Sequence, residues 1–212
     1  MKNRHQFLTL AAIGVFVIMS TSGCSDTPNQ IVLPADSKVI ALGDSLTYGY
    51  GASPETAYPA VLAEMTRWSI INEGVNGNTS ADVLARTDQI ISKNPDLVLL
   101  GVGGNDVLQR IHPETTRANI TETIGKLKSA NIPVVLIAQP HFSASALFGR
   151  ASDNPIYEDI AKLENVPLYA SGWSKVLSDD TLKSDQIHAN SADYRNFAEG
   201  LYDYLQEEGV AQ

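Results

Sequence analysis

Three residues have the side-chain types of a nucleophile, a general base and the acceptor that orients the base. Ser45 lies in the segment Gly43-Asp44-Ser45-Leu46-Thr47, and His188 follows Asp185 by three residues. That spacing lets the carboxylate bond one ring nitrogen of the histidine while the other ring nitrogen faces a serine. A hydroxyl nucleophile needs such a base, and the base needs such an acceptor. The residues therefore predict nucleophilic catalysis. The alternative for Asp185 and His188 is an ion pair at the start of a helix.

Two further loops carry groups that can bind a developing negative charge. The segment 74–80, Gly-Val-Asn-Gly-Asn-Thr-Ser, contains glycines that allow close backbone approach to a ligand. The segment 101–106, Gly-Val-Gly-Gly-Asn-Asp, contains Asn105, whose side chain is an N–H donor. Each loop alone is also an ordinary turn composition. Because both follow predicted strands, as the Ser45 segment does, we expect the three to form one site.

The elements that must position these loops alternate along the chain. Short apolar runs predict strands, and apolar residues at helical spacing predict the helices between them. This alternation indicates an α/β fold with a mostly parallel five-stranded sheet and helices on both faces, so the site should lie beyond the carboxyl ends of the strands. The predicted strands are Lys38–Leu42, Ser69–Asn72, Asp96–Gly101, Pro133–Ala138 and Val166–Tyr169. The predicted helices are Ala57–Thr66, Thr79–Ile91, one that begins near Pro113, Ile156–Leu163, and a closing helix with Tyr194, Phe197, Leu201 and Tyr204 on one face.

Composition excludes several classes of protein. The chain has 212 residues, is 43% hydrophobic and carries a formal charge of −9, which is typical of one globular domain. It has no cluster of lysines and arginines to replace the counterions of phosphate groups, so nucleic acid is not an expected partner. It also lacks a His-Glu-x-x-His motif and the Gly-x-Gly-x-x-Gly spacing of a dinucleotide cradle. We therefore expect neither a metal ion nor a cofactor.

The first residues have the features of an export signal. Lys2 and Arg4 precede an apolar run from Phe7 to Met19, which is shorter than the roughly 20 residues that cross a bilayer as a helix. Small residues follow and end at Cys24, the only cysteine. The arrangement resembles a bacterial lipoprotein signal, although Thr21 stands where that signal usually has leucine. Cys24 would then carry the lipid. A conventional signal peptide and an uncleaved anchor are the alternatives.

These segments predict a domain organisation in three parts. Residues 1–23 are the signal peptide, residues 24–36 a tether with two prolines, and residues 37–212 the folded domain. The expected location is the cell envelope, with the domain tethered to a membrane through the lipid on Cys24.

The four segments with site residues together resemble the SGNH (GDSL) hydrolases, and most closely their bacterial thioesterase/arylesterase/lysophospholipase branch. Gly43-Asp44-Ser45-Leu46 matches the first block of that family, Gly77 falls on the glycine of the second, Gly103-Gly104-Asn105-Asp106 matches the third, and Asp185-x-x-His188 the fifth. The resemblance implies a flavodoxin-like, three-layer α/β/α fold. It implies Ser45, Asp185 and His188 as the catalytic residues, and Ser45, Gly77 and Asn105 as the oxyanion hole. Gln186 and Ala189 replace the glycine and proline that often flank the histidine of the family.

The same resemblance implies hydrolysis of carboxylic esters or thioesters, with a small molecule or a lipid as substrate. The alternatives are a carbohydrate O-acetylesterase that acts on envelope or extracellular polysaccharide, and a non-catalytic binding module. The loop from Gln139 to Asp153 follows a predicted strand, and we expect it to shape the acyl pocket. Its alternative is an exposed loop. The candidate substrate contacts there are His141, Phe142 and Phe148.

Overall fold

The computed structural model describes residues 32–141, 152–178, 184, 185 and 187–212. Five strands form one sheet in which every neighbouring pair is parallel, in the order β2-β1-β3-β4-β5. This order and the helices between the strands confirm the predicted flavodoxin-like α/β/α fold. The strands are β1 (Lys38–Gly43), β2 (Ser69–Gly74), β3 (Leu97–Gly101), β4 (Val134–Ile137) and β5 (Leu168–Tyr169).

The five predicted helices are present, and their ends lie close to the predicted ones. Thr79 caps the third helix of the chain, and Asn190 caps the last one by accepting hydrogen bonds from two backbone N–H groups. Three helices of four or five residues were not predicted, because so short a segment does not show helical spacing of apolar residues. The helices are α1 (Ser45–Tyr48), α2 (Tyr58–Thr66), α3 (Ser80–Ile91), α4 (Gly104–Leu108), α5 (Pro113–Ser129), α6 (Ile156–Glu164), α7 (Gly172–Val176) and α8 (Ser191–Glu207).

The sheet separates two apolar cores. Successive residues of a strand point to opposite faces, so Val39 and Ala41 of β1 pack with α2, α7 and α8, while Ile40 and Leu42 pack with α3, α5 and α6. The central strands are buried on both faces, which explains why their sequences are continuous apolar runs.

An aromatic cluster anchors α8 on one face of the sheet. Phe197 stacks on Trp173 with 3.6 Å between the ring centroids, and it meets the rings of Tyr58 and Tyr169 edge-on. Because α8 begins three residues after His188, this packing fixes the point at which the chain leaves the predicted site.

The folded domain begins earlier than predicted. Leu33 is 7% exposed within the core, and its N–H donates to the carbonyl of Val210 over 2.9 Å. The N–H of Asp36 donates to the carbonyl of Arg67. Residues 33–36, which were predicted as part of the tether, therefore contact the folded domain, and Leu33 buries its side chain against the last segment of the chain. Within the described part of the chain, no helix combines the length and the apolar composition needed to cross a bilayer.

Candidate active site

Three strands end in one row at the carboxyl edge of the sheet. The register places Gly43 of β1 beside Gly74 of β2 on one side and beside Gly101 of β3 on the other. Ser45, Gly77 and Asn105 follow these three glycines by two, three and four residues. The alignment therefore starts the three predicted loops from neighbouring points, as the sequence led us to expect.

Ser45 is the first residue of α1, directly beyond the end of β1. The side chain of Asp44 caps this helix by accepting a hydrogen bond from the N–H of Leu46 over 3.0 Å. A Cβ atom on Gly43 would lie 2.2 Å from both the carbonyl oxygen of Gly101 and Oγ1 of Thr47, so no side chain fits there. The tight turn presents the Ser45 hydroxyl at the edge of the sheet.

Ser45, His188 and Asp185 form a continuous hydrogen-bonded line. His188 Nε2 lies 3.1 Å from Ser45 Oγ, and His188 Nδ1 lies 2.8 Å from Oδ2 of Asp185. The other carboxylate oxygen of Asp185 accepts from the backbone N–H groups of Ile187 and His188, both over 2.9 Å. The carboxylate thus holds both the imidazole ring and the turn that carries it. This geometry is that of a nucleophile with its base and orienting acceptor.

The pKa of the Asp185 carboxyl group is lower than its ordinary value. Partial burial, the largest influence, raises this pKa, but the hydrogen bonds from Ile187 and His188 and the charge of the imidazole together outweigh it. The carboxylate is therefore ionised at neutral pH, as an orienting group for an imidazolium must be.

The second and third loops are bonded to each other. Asn105 Nδ2 donates to the backbone carbonyl of Asn78 over 3.0 Å, and the amide carries a second hydrogen. Asp106, which is 1% exposed, accepts from the N–H and hydroxyl of Ser80 and from the hydroxyl of Thr116. These bonds place Asn105 next to the segment that contains Gly77.

Gly77 has a φ of +80°, a backbone conformation that favours glycine. A Cβ atom at this position would meet nothing within 4 Å, so the backbone angle and not crowding explains the glycine. Gly77 is exposed and is not among the described residues that line the cleft, but it is followed directly by Asn78, to which Asn105 is bonded.

The described part of the cleft contains residues that sequence reasoning missed. Leu108 ends α4, Ile187 precedes His188, and the ring of Tyr50 packs on the imidazole of His188 with 4.3 Å between centroids. No sequence signal distinguished these residues, because each is an isolated apolar or aromatic side chain in a short segment. The cleft is lined by Asp44, Ser45, Leu46, Gly104, Asn105, Leu108, Ile187 and His188.

The predicted substrate contacts lie elsewhere or cannot be placed. His141 is exposed, and its N–H donates to the carbonyl of Ser152, but it is not among the described residues that line the cleft. Phe142, Phe148 and Cys24 lie outside the described residues, so their roles stay predictions. Among the residues that the structure describes, no group of three or more His, Cys, Asp or Glu side chains is arranged to hold a metal ion.

A second carboxyl group, that of Asp44, lies buried behind the nucleophile. Asp44 is 2% exposed, and its burial raises its pKa from 3.8 to about 7. The hydrogen bond from Leu46 opposes this rise, and the negative charge of Asp106 adds to it. Asp44 therefore changes its charge near neutral pH.

An α/β/α fold with a Ser–His–Asp arrangement at the carboxyl edge of its parallel sheet is that of a serine hydrolase. The model of the GDSL-like lipase/acylhydrolase family matches residues 41–195, and the chain belongs to this family.

Three comparisons describe its relatives. The chain is 31% identical over 163 residues to thioesterase 1/protease 1/lysophospholipase L1 of Escherichia coli K12, with 74% of this chain and 77% of that protein covered. It is similar to the crystal structure of the psychrotrophic esterase EstA of a Pseudoalteromonas species, with a TM-score of 0.70, 24% identity, and 81% and 98% of the two chains covered. It is also similar to the acetyl xylan esterase AlAXEase, with a TM-score of 0.63, 25% identity, and 78% and 98% covered.

The burial of Asp44 predicts how stability responds to pH. A carboxyl group whose pKa is higher in the folded protein binds its proton more tightly there, so its contribution to stability falls as the pH rises from 3.8 through about 7. Asp44→Asn keeps an oxygen that caps α1 but does not titrate. Relative to the wild type, this variant should gain about 2–3 kcal/mol in free energy of unfolding between about pH 5 and about pH 8, because the interval from pH 5 to the folded-state pKa of about 7 contributes about 1.4 kcal/mol per pH unit.

Urea unfolding of both proteins at the two pH values measures this difference. If the free-energy difference between variant and wild type is the same at both, Asp44 does not titrate near neutral pH.

Proposed function

We propose that the chain hydrolyses carboxylic esters and thioesters through an acyl-enzyme on Ser45. The observation that carries the proposal is the line of contacts from Ser45 Oγ through His188 to Asp185, with distances of 3.1 and 2.8 Å. His188 removes the proton of the Ser45 hydroxyl as its oxygen attacks the carbonyl carbon, and the ionised Asp185 stabilises the imidazolium that forms.

The tetrahedral intermediate places negative charge on the former carbonyl oxygen. The backbone N–H groups of Ser45 and Gly77 and the amide of Asn105 donate to that oxygen. When the intermediate collapses, His188 gives its proton to the departing alcohol or thiol, and the acyl group stays on Ser45. Water then attacks the acyl-enzyme with His188 again as the base, which releases the acid and restores the serine.

An apolar acyl group is the substrate feature that we infer from the cleft. Leu108 and Ile187 line it beside the polar groups, and Leu108 is 46% exposed although it is a large hydrophobic residue. Tyr50, which packs on His188, is 47% exposed. When a hydrocarbon chain covers apolar side chains that face water at the entrance of a polar site, the burial of apolar surface favours binding. The name of the E. coli relative, which contains thioesterase and lysophospholipase, supports the same class of substrate.

A carbohydrate O-acetylesterase is the second candidate, because the chain is similar to an acetyl xylan esterase. An exposed tyrosine beside the catalytic groups also offers a surface on which a sugar ring stacks. A non-catalytic binding module is disfavoured, since ligand binding alone gives no reason for a serine hydroxyl at hydrogen-bonding distance from a histidine that an aspartate orients.

We also propose that the protein is exported and held at a membrane of the cell envelope by a lipid on Cys24. The support is the sequence of the first residues: Lys2 and Arg4, then an apolar run, then small residues before Cys24. With such an anchor the catalytic domain would face the periplasm or the exterior, where both lipid esters and polysaccharide esters are available as substrates.

Hydrolysis of p-nitrophenyl esters from acetyl to palmitoyl tests the proposed chemistry. Ser45→Ala should abolish the enzymatic rate on every ester. Asn105→Ala should lower kcat by about 10²–10³, the usual cost of losing one oxyanion donor, while the circular dichroism spectrum stays that of the wild type. An Asn105→Ala enzyme with wild-type kcat would contradict the assigned oxyanion hole, and a rate that is independent of Ser45 would contradict the acyl-enzyme.

Leu108→Ser tests the inferred acyl site. We expect kcat/KM to fall roughly 3- to 10-fold on the octanoyl ester, which corresponds to the loss of part of the burial energy of one leucine, and to change little on the acetyl ester. Leu163→Ser is the matched control, because Leu163 is 68% exposed on α6 and does not line the cleft. Equal losses on both esters, or activity of the wild type confined to the acetyl ester, would favour carbohydrate deacetylation instead.

Cys24→Ser tests the anchor. Expressed from the full-length sequence in a bacterial host, the wild type should fractionate with membranes, and its N-terminal peptide should carry the mass of a lipid. The variant should leave the membrane fraction, and its N-terminal peptide should carry no lipid mass. Identical fractionation of the two proteins would rule out anchoring through Cys24.

A further inference from the structure

Arg86 on α3 reaches the ends of two strands and the loop that contains Gly77. Its Nη2 donates to the backbone carbonyls of Gly43 over 3.0 Å and Glu73 over 2.8 Å. Its Nε donates to the side-chain oxygen of Asn78 over 3.1 Å. No element of the mechanism described above uses this guanidinium.

The partners of Arg86 adjoin each of the three oxyanion donors. Gly43 precedes Ser45 by two residues, and Asn78 directly follows Gly77. The backbone carbonyl of Asn78 accepts the hydrogen bond from Asn105 Nδ2. One guanidinium therefore connects the segments that present the N–H of Ser45, the N–H of Gly77 and the amide of Asn105.

The chemistry of these contacts requires an arginine. The guanidinium is a rigid planar group whose separate nitrogens donate in fixed directions, whereas lysine has a single nitrogen on a flexible chain. The side chain of Arg86 is 17% exposed, so little water competes for its partners. The carboxylate of Glu73, 3.8 Å from Nη1, balances its charge, and Lys93 also pairs with that carboxylate.

We propose that Arg86 is a positioning residue for the oxyanion hole: it holds the loop with Gly77 and Asn78 against the end of β1 so that three donors converge on one oxygen. The proposal rests on the proposed function, because it assigns a role in that same reaction. A site that must be in place before charge develops benefits from such cross-links, since donors that have to reorganise stabilise the transition state less.

Arg86→Gln and Arg86→Lys test this role against a purely structural one. We expect both to lower kcat on a p-nitrophenyl ester by about 10- to 100-fold with KM changed less than about threefold, because the oxyanion is present in the transition state and not in the bound ester. Arg117→Gln is the matched control: Arg117 is a second partly buried arginine, and it donates to the carboxylate of Asp159 over 3.0 Å between α5 and α6, away from the cleft. It should keep the wild-type kcat.

A double variant separates positioning from general destabilisation. If Arg86 acts through the oxyanion hole, Arg86→Gln combined with Asn105→Ala should lower kcat by less than the product of the two single losses, because one of the donors that Arg86 positions is already absent. If the two losses multiply, Arg86 acts independently of Asn105, and the proposal is overturned.

If the Arg86 variants do not fold, Asn78→Ala tests whether Arg86 positions the oxyanion hole. It removes the acceptor of Nε but leaves both carbonyl contacts of Arg86 and the backbone carbonyl that binds Asn105. We expect kcat to fall about 3- to 10-fold with a wild-type melting temperature, a smaller loss than that of a donor itself. A wild-type kcat in folded Asn78→Ala and, where they fold, in the Arg86 variants would overturn the inference. Loss of all Ser45-dependent hydrolysis in the wild type would instead refute the proposed function.

Discussion

The close approach of the backbone at the ends of β1, β2 and β3 is the constraint on which the site depends. A Cβ atom on Gly74 would lie 2.1 Å from the backbone nitrogen of Tyr48, and one on Gly43 would lie 2.2 Å from the carbonyl of Gly101. Helix α1 can therefore sit directly on the ends of its neighbouring strands only because these positions have no side chains. Since parallel strands end at the same edge of a sheet, the three loops leave from one row, and short loops of two to four residues are enough to bring their polar groups together.

Two buried carboxyl groups lie behind this row, and they differ in the number of hydrogen bonds that they accept. Asp106 accepts three hydrogen bonds from Ser80 and Thr116, which offset the cost of burying its charge and tie α3 to α4. Asp44 receives one bond from Leu46 and has a pKa of about 7, so its neutral form is favoured below that pH. The carboxylate of Asp185, which must stay charged beside the imidazole, is instead partly open to water and held by two backbone N–H groups. The number of hydrogen bonds thus distinguishes the two buried aspartates, and exposure to solvent distinguishes Asp185 from both.

Much of this arrangement could be predicted from the sequence because its signals are local. Buried parallel strands are continuous apolar runs, and the ends of the predicted strands differ from the observed ones by at most two residues. Ser45, Asp185 and His188 were predicted from residue type and spacing, and they are in contact. Arg86 and Tyr50 could not be predicted, because each acts on a segment far away in sequence and neither belongs to a periodic pattern. Leu33 was assigned to the tether for a similar reason: a run of three apolar residues that ends at Pro34 gives no sign that Val210 lies beside it.

The polar residues proposed for the chemistry and the apolar residues proposed to contact the substrate come from different parts of the fold. Ser45, Gly77 and Asn105, the proposed nucleophile and oxyanion donors, are within four residues of strand ends, where the register of the sheet fixes the backbone. The apolar residues beside them, Leu108 and Ile187, lie at the far end of α4 and in the turn before His188, where no strand pairs with the chain. A change in those segments alters the shape and polarity of the cleft without moving the row of glycines. If Ser45, Gly77 and Asn105 act as proposed, the sheet fixes the groups that perform the chemistry, whereas the apolar side chains beside them are free to vary with the substrate.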